Sequence, residues 1–382
     1  MRLAIYTDYE YRFDGVHRYG QRAFVVFLEA LRPHVDRLVL VGRLDPRPGR
    51  SHYRLHEDTE LVGLPHYESL ARPGSVARSL IASIRRFWRL LDEVDTVWVL
   101  GPYPHSVAFA LMTALRGRRL VLGVRQDTRV YIRARRPGQR GMHLAADLLE
   151  VSWRLLARRH AIVVVGPELE RKYRHARSLL ALNVSLVSAR DVVSVEVARS
   201  RSYEGELTVL TVGRLDTEKN PLLLADTLAL LQARERRWRL VVCGDGPMRF
   251  QLQARLGELG LLERVELRGY IPIDGGLLEL YRRSHMFLHA SWTEGFPQVL
   301  IEAFAAGLPT VATAVGGVSA AAQGAALLIP PGDPQAAAQA LERLVRDSAL
   351  RAQLTDAALR RARVYTLEQE SERLLRFLEA AP

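Results

Sequence analysis

SWTEGFPQVLIEAFAAGLPTVATAVGG, residues 291–317, places two glutamates eight positions apart around a Gly-Phe-Pro break. Gly295 and Pro297 predict a tight turn, with Pro297 just before or in the first turn of a helix rich in small residues. The amides of Gln298, Val299 and Leu300 are then free at a helix N-terminus, which attracts anions. Glu302 falls one turn on, roughly 6 Å along the axis at about 1.5 Å per residue. Glu294 approaches from the end of the preceding strand. A diphosphate on the amides with hydroxyls on either side suits this pattern. An ordinary helix cap with a surface glutamate suits it as well.

Outward from this stretch the chain alternates β-branched runs with amphipathic segments. Residues 2–7, 37–42, 96–101, 119–124 and 161–166 read as buried parallel strands, with helices over 19–33, 76–92, 104–116 and 142–159. The series restarts at 207–213, 239–244, 265–270, 286–291, 309–315 and 325–330. Two βα series predict an α/β chain of two Rossmann-like domains facing across a cleft. The polar segment 194–206 is the expected linker, giving domains at 1–198 and 199–365. A long helix is expected from Pro334 to about Val364. A last helix within 366–382 is expected to return toward the first domain.

A chain of 382 residues suits two cores, and its 48% apolar and 7% aromatic content is that of a globular protein. The apolar runs are too short to span a bilayer. The N-terminus turns polar too soon for a signal peptide. One cysteine, Cys243, fits a reducing compartment. The expectation is a cytoplasmic protein, or one peripheral on the inner face of the plasma membrane. Net charge is +12, and residues 1–198 supply it with 32 Lys/Arg against 20 Asp/Glu. Such a one-sided field makes an anionic membrane surface a candidate partner. The basic amphipathic stretch 78–91, with Phe87 and Trp88, is one place for it, and packing on its own domain is the other reading. Basic stretches such as 133–140 come without a helix-turn-helix, zinc-finger or stacking signature, so no nucleic acid is expected.

Three further loops are candidates. In VGRLDTEKNP (212–221), Arg214 and Lys219 follow a strand end, placed to meet phosphate or simply solvated. In VVCGDGPMRF (241–250), Gly244, Asp245 and Gly246 form a tight turn without the full dinucleotide spacing. After the first strand, Gly15 and Val16 lie in a flexible loop where the backbone could approach a ligand. His285 and His289 have a helical metal-pair spacing, but their segment reads as a strand, so no metal site is expected. The absence of any Asp-x-Asp argues against carboxylate-held magnesium.

GRLDTEKNP, CGDGP, EGFPQVLIEAFAAGLPTVAT, VGG and GAALLIPPGDPQAAAQALERL, in this order, resemble glycosyltransferase family 4, retaining enzymes of GT-B fold. The resemblance covers about residues 207–365, and Glu294-x7-Glu302 is its most recognisable signature. It implies that Arg214 and Lys219 bind the donor diphosphate and stabilise the leaving group. Glu302 would hold the ribose, Glu294 the transferred sugar, and the amides of Gln298 and Val299 the phosphate, within the turn Gly295, Phe296 and Pro297. Tyr270 and Ile271 would meet the base. The donor implied is a nucleotide-diphosphate sugar, UDP- or GDP-linked, with no cofactor and no metal. The acceptor implied is a glycan or a lipid-linked molecule. Asp127 carries over as a catalytic position, with Arg125 beside it where the family has His-Asp. The chain also departs from the pattern at Ser188-Ala189-Arg190-Asp191 and at Val318-Ser319-Ala320. A non-catalytic binding protein and a phosphorylase or sugar-nucleotide epimerase share the fold and are the rival readings.

Overall fold

The computed structural model describes residues 1–69, 71–135 and 138–381. The chain divides into two units, Met1–Asn183 with Glu370–Pro382, and Val184–Gln369.

The strands of the first unit are β1 (Arg2–Phe13), β2 (Arg18–Gly20), β3 (Arg37–Leu44), β4 (Tyr53–Arg54), β5 (Glu60–Pro65), β6 (Thr96–Leu100), β7 (Arg119–Val124), β8 (Ala161–Val165) and β9 (Ser178–Leu182). Seven run parallel in the order β5-β3-β1-β6-β7-β8-β9. This is the doubly wound order, reversing direction beside β1. The helices are α1 (Phe24–Glu29), α2 (Pro73–Leu90), α3 (Pro104–Leu115), α4 (Thr128–Arg135), α5 (Arg140–Ala157) and α6 (Pro167–Lys172). Tyr6, Val39, Val97, Phe109, Trp153 and Ile162 are among the residues of its core.

The start of the chain departs from expectation. β1 continues to Phe13, and instead of a loop it turns back as a hairpin, Tyr11 opposite Gly20. The Asp14 carboxylate accepts the Val16 and His17 amides at 3.0 and 2.8 Å, and Gly15 takes the φ of +100° the turn needs. The helix expected over 19–33 therefore shrinks to α1 and a single 3₁₀ turn at Arg32–His34. Of the basic stretch 133–140, residues 136 and 137 lie outside the described residues.

The second unit carries β10 (Leu207–Val212), β11 (Trp238–Cys243), β12 (Val265–Gly269), β13 (Met286–His289), β14 (Thr310–Thr313) and β15 (Leu327–Ile329), in the order β12-β11-β10-β13-β14-β15. All pairs are parallel. Alternate residues feed two cores: Leu207, Val209, Leu240 and Met286 on one face, Leu210, Val241, Phe287 and Ala312 on the other. Its helices are α7 (Val195–Arg199), α8 (Leu222–Arg234), α9 (Arg249–Glu258), α10 (Leu277–Arg283), α11 (Gln298–Ala305), α12 (Val318–Ala322), α13 (Pro334–Arg346) and α14 (Ser348–Val364).

Segment 194–206 lies within this unit. Ser194 caps α7, and the Val193 amide bonds the Ala305 carbonyl at 2.9 Å. The single helix expected from Pro334 to Val364 is two. Asp347 leaves helical geometry and caps α14 by accepting the Leu350 amide at 2.8 Å. The last helix, α15 (Leu367–Ala380), passes from the second unit into the first at Glu370, whose carboxylate accepts the Asn183 amide at 2.9 Å.

Candidate active site

In a doubly wound sheet, the loops beyond the strand ends at the reversal point open a natural ligand site. In the second unit those strands are β10 and β13. After β10, Thr217–Lys219 make one 3₁₀ turn, closed by Asn220 at φ 45°. This loop is sewn to the one after β11. Gly213 donates to the Cys243 carbonyl at 2.9 Å, Leu215 to Asp245 at 3.0 Å, and Met248 to Leu215 at 2.8 Å. A Cβ on Gly244 would lie 1.8 Å from the Gly213 carbonyl oxygen, and one on Gly246 2.6 Å from that of Leu215. The glycines of the Gly-Asp-Gly turn thus admit a neighbouring loop. Asp245 stays exposed and caps the Gly246 amide at 2.8 Å.

The loop after β13 is held from two sides. Trp292 donates its amide to the Glu218 carbonyl at 2.8 Å, and the Ser291 hydroxyl lies 3.0 Å from the same oxygen. On the other side the Gly317 amide bonds the Glu294 carbonyl at 2.9 Å. There a Cβ on Gly317 would stand 1.7 Å from the Gly295 oxygen. Glu294 is therefore placed by backbone contacts with the ends of β10 and β14.

Its carboxylate pairs with the Lys219 ammonium and accepts from His289 Nε2 at 3.3 Å. Burial alone raises its pKa, but the His289 hydrogen bond and the Lys219 charge outweigh that and lower it to about 2. Glu294 is thus a fixed anion beside a cation. His289 was discounted from the sequence as half of a metal pair. The structure puts it, buried, against Glu294, and among the described residues its Nδ1 has no partner. His285 instead accepts the Thr208 amide at 2.9 Å. Among the described residues no group of three or more His, Cys, Asp or Glu side chains is arranged to hold a metal.

Helix α11 begins at Gln298 after the extended Pro297, with no side-chain cap. The Leu300 amide, expected free, bonds the Pro297 carbonyl at 3.1 Å. Among the described residues the amides of Gln298 and Val299 have no such acceptor. Phe296 packs edge-on against Tyr365 at 5.7 Å and so anchors the turn, while Gly295 is exposed. One turn into α11, Glu302 is buried and accepts the Tyr281 hydroxyl at 2.8 Å. Burial holds its carboxyl at about 7, against the lowering effect of that hydrogen bond. Tyr281, from α10, is a second residue the sequence reading missed, because no motif links it to Glu302.

Arg214 is half-exposed and grips Asp216 and Glu218, so the two loop cations differ: Arg214 is tied within its own loop, Lys219 reaches across to Glu294. Tyr270 is exposed after β12, and Ile271 packs on the core.

In the first unit, Asp127 caps α4, accepting the Arg129 and Val130 amides at 3.1 and 3.2 Å, and binds Lys172 Nζ at 2.9 Å. Burial raises its pKa, and the Lys172 hydrogen bond with these amides lowers it further than burial lifts it. Lys172 also meets the buried Glu150 at 2.7 Å. Arg125 donates to the Tyr9 hydroxyl and lies 3.7 Å over the Phe24 ring. Gly15 and the exposed Val16 form the tip of the β1–β2 hairpin, a different element from the end of β7 that carries Arg125 and Asp127.

Residues 194–361 match the family model described as glycosyl transferases group 1. This segment is similar to group 1 glycosyl transferases. The match takes in both glutamates, Lys219 and the loops that hold them. The chain is 34% identical over 119 residues to the phosphatidylinositol N-acetylglucosaminyltransferase gpi3 subunit of Schizosaccharomyces pombe, covering 31% of this chain and 26% of that protein. Across the first curated relatives it matches, the chain covers 12% to 43% of their own lengths. Two solved structures share its fold over nearly their full length. Sucrose-phosphate synthase from Thermosynechococcus elongatus is 18% identical with a TM-score of 0.75, covering 99% of this chain and 98% of that one. Anabaena HepE in complex with UDP is 17% identical with a TM-score of 0.70, covering 100% of both. The fold is GT-B.

Proposed function

We propose that the protein is a retaining glycosyltransferase of family 4, moving a sugar from a UDP- or GDP-linked donor to a lipid-linked or cell-envelope glycan acceptor. The observation that carries this reading is the Lys219–Glu294 ion pair at the β10–β13 reversal, in the same unit as the open N-terminus of α11. A diphosphate on the Gln298 and Val299 amides gains the positive end of the helix. Lys219 then stabilises the charge that develops on the diphosphate as it departs from the sugar, and with the amides it removes the need for a metal ion. Glu302 accepts the ribose hydroxyls, and Glu294, freed by Lys219, accepts those of the transferred sugar. Arg214 joins by exchanging Asp216 and Glu218 for phosphate oxygens. Tyr270 and Ile271 meet the base. The C1–O bond to the diphosphate breaks, the acceptor oxygen bonds C1 from the same face, and its proton passes to the departing diphosphate oxygen, so no protein nucleophile is required.

The first unit, Met1–Asn183 with Glu370–Pro382, takes the acceptor. Asp127, held by Lys172 and α4, orients that site rather than serving as a free base. HepE has been solved with UDP, and the gpi3 relative is named for a lipid acceptor; both support the substrate classes chosen. The reaction then belongs at the inner face of a membrane. Calorimetric titration with UDP, GDP, ADP and CDP, with and without magnesium, tests the donor half. One tight nucleotide, indifferent to magnesium, is expected. Silence from all four would move the protein to the non-catalytic binding class.

A further inference from the structure

Helix α5 is apolar on two opposite faces. Ala146, Trp153 and Ala157 point into the core of the first unit. Leu144, Leu148, Val151 and Leu155 are 61%, 61%, 52% and 54% exposed. At about 100° per residue these four share an arc of about 60°, opposite the buried face. Single exposed leucines are ordinary, but an aligned row is not. The row also continues onto neighbours. α3 packs against both α2 and α5, and it adds exposed Leu111 and Leu115, while α2 adds exposed Ile81. A groove lined by Val107, Leu111, Leu155, Leu156, Arg158 and Arg159 joins α3 to α5.

Arginines flank the row. Along α5 and its end, Arg140 and Arg158 project about 50° to one side of its centre and Arg159 about 50° to the other. The acids of this helix are already engaged, Asp147 by Arg129 and Arg133, and buried Glu150 by Lys172. Among the described residues Arg140, Arg154, Arg158 and Arg159 form no ion pair with a carboxylate. Residues 101–160 hold 12 arginines against three Asp/Glu, and four of them, Arg140, Arg154, Arg158 and Arg159, stand on α5 or at its end.

We propose that the α3–α5 face, with α2 at its margin, docks on an anionic lipid bilayer. The four apolar side chains of α5 enter the headgroup boundary, and the flanking arginines take the lipid phosphates. Charge selects this occupant. A second copy would bring the same arginine-rich face against itself, whereas an anionic surface complements it. The use of such docking, holding the protein beside a lipid-linked acceptor, rests on the function proposed above; the geometry does not.

The test is flotation of the full chain with phosphatidylcholine vesicles, with and without phosphatidylglycerol, at low and high salt. Binding is expected only with the anionic lipid, weakening as salt rises. Leu144→Ser with Leu148→Ser lowers the partition coefficient at least about 10-fold. Arg140→Ser with Arg158→Ser lowers it about 30-fold. All four side chains are exposed, and unchanged nucleotide affinity in both variants shows the fold intact. No flotation at low salt, or equal flotation by the variants, overturns the proposal. So does a dimer in sedimentation velocity that the leucine variant abolishes. Flotation without any nucleotide binding leaves this proposal standing and removes the donor reading instead.

Discussion

Lys219 and Glu294 are 75 positions apart and meet as an ion pair because β10 and β13 are neighbours at the reversal of the second sheet. Neither is free in the absence of donor, so a bound diphosphate and sugar would replace one part-buried pairing with two new ones. Lys219→Met removes the leaving-group cation and is expected to lower kcat/KM for donor turnover by about 100- to 1000-fold. Nucleotide release from the donor measures this. A loss under tenfold would take Lys219 out of that role.

Glu302 carries a pH signature. Burial holds its carboxyl at about 7, while hydroxyl recognition needs the carboxylate. Nucleotide affinity should therefore fall as pH drops below 7, and binding at pH 6 should release a proton. Calorimetry at pH 6 in buffers of different ionisation enthalpy reads this directly, and it should show no release at pH 8. The unliganded protein behaves oppositely. A raised folded pKa gives stability below the unfolded value of 4.5 that is lost as pH climbs to about 7. Glu302→Gln should flatten that part of the Tm–pH curve. A slope that persists in the variant assigns it to another group.

Eleven of the strands were legible because parallel strands buried on both faces leave short β-branched runs; β5 and β9, and the reversal between β10 and β13, were not. The Glu294 and Lys219 loops were legible through turn residues at strand ends. Features that depend on long-range packing were not. The β1–β2 hairpin looked like a loop because Asp8–Phe13 is polar and aromatic rather than β-branched. The break at Asp347 was hidden in continuous helical periodicity. His289 and Tyr281 lie among apolar neighbours, and only the folded structure shows that each reaches a glutamate. The outer face of α5 was missed because a leucine in a helix reads as core until its partner is sought.

The close approach at Gly317 should be directly testable. Gly317→Ala forces a methyl within 1.7 Å of the Gly295 oxygen, and the Glu294–Gly295 backbone must shift. Urea unfolding should show a loss of about 1–3 kcal/mol, as for other overpacked sites. Gly295→Ala is the control, since its added methyl meets nothing within 4 Å. Equal stability of the two variants would mean that the loop is not held from the β14 side.

His289 is expected to act through Glu294 rather than on substrate. It is buried and donates to the carboxylate at 3.3 Å, so it stabilises the charged form. His289→Leu leaves Lys219 as the remaining charged partner, and a hydrogen bond to a charged group contributes roughly 1.5–3 kcal/mol. The Glu294 pKa should then rise from about 2, and any acid limb it imposes on turnover should move to higher pH. Stability should shift the same way. A lowered folded pKa gives stability above the unfolded 4.5 that is lost as pH falls toward 2, so the variant should have less of it and should finish losing it at higher pH. kcat should drop at least about tenfold while nucleotide affinity holds, because the ribose and phosphate contacts lie on α11. His289→Gln, which keeps a donor, should recover part of the activity and of the pH profile. A uniform loss of nucleotide affinity in both variants would instead show that His289 supports the fold of the site and does not orient Glu294.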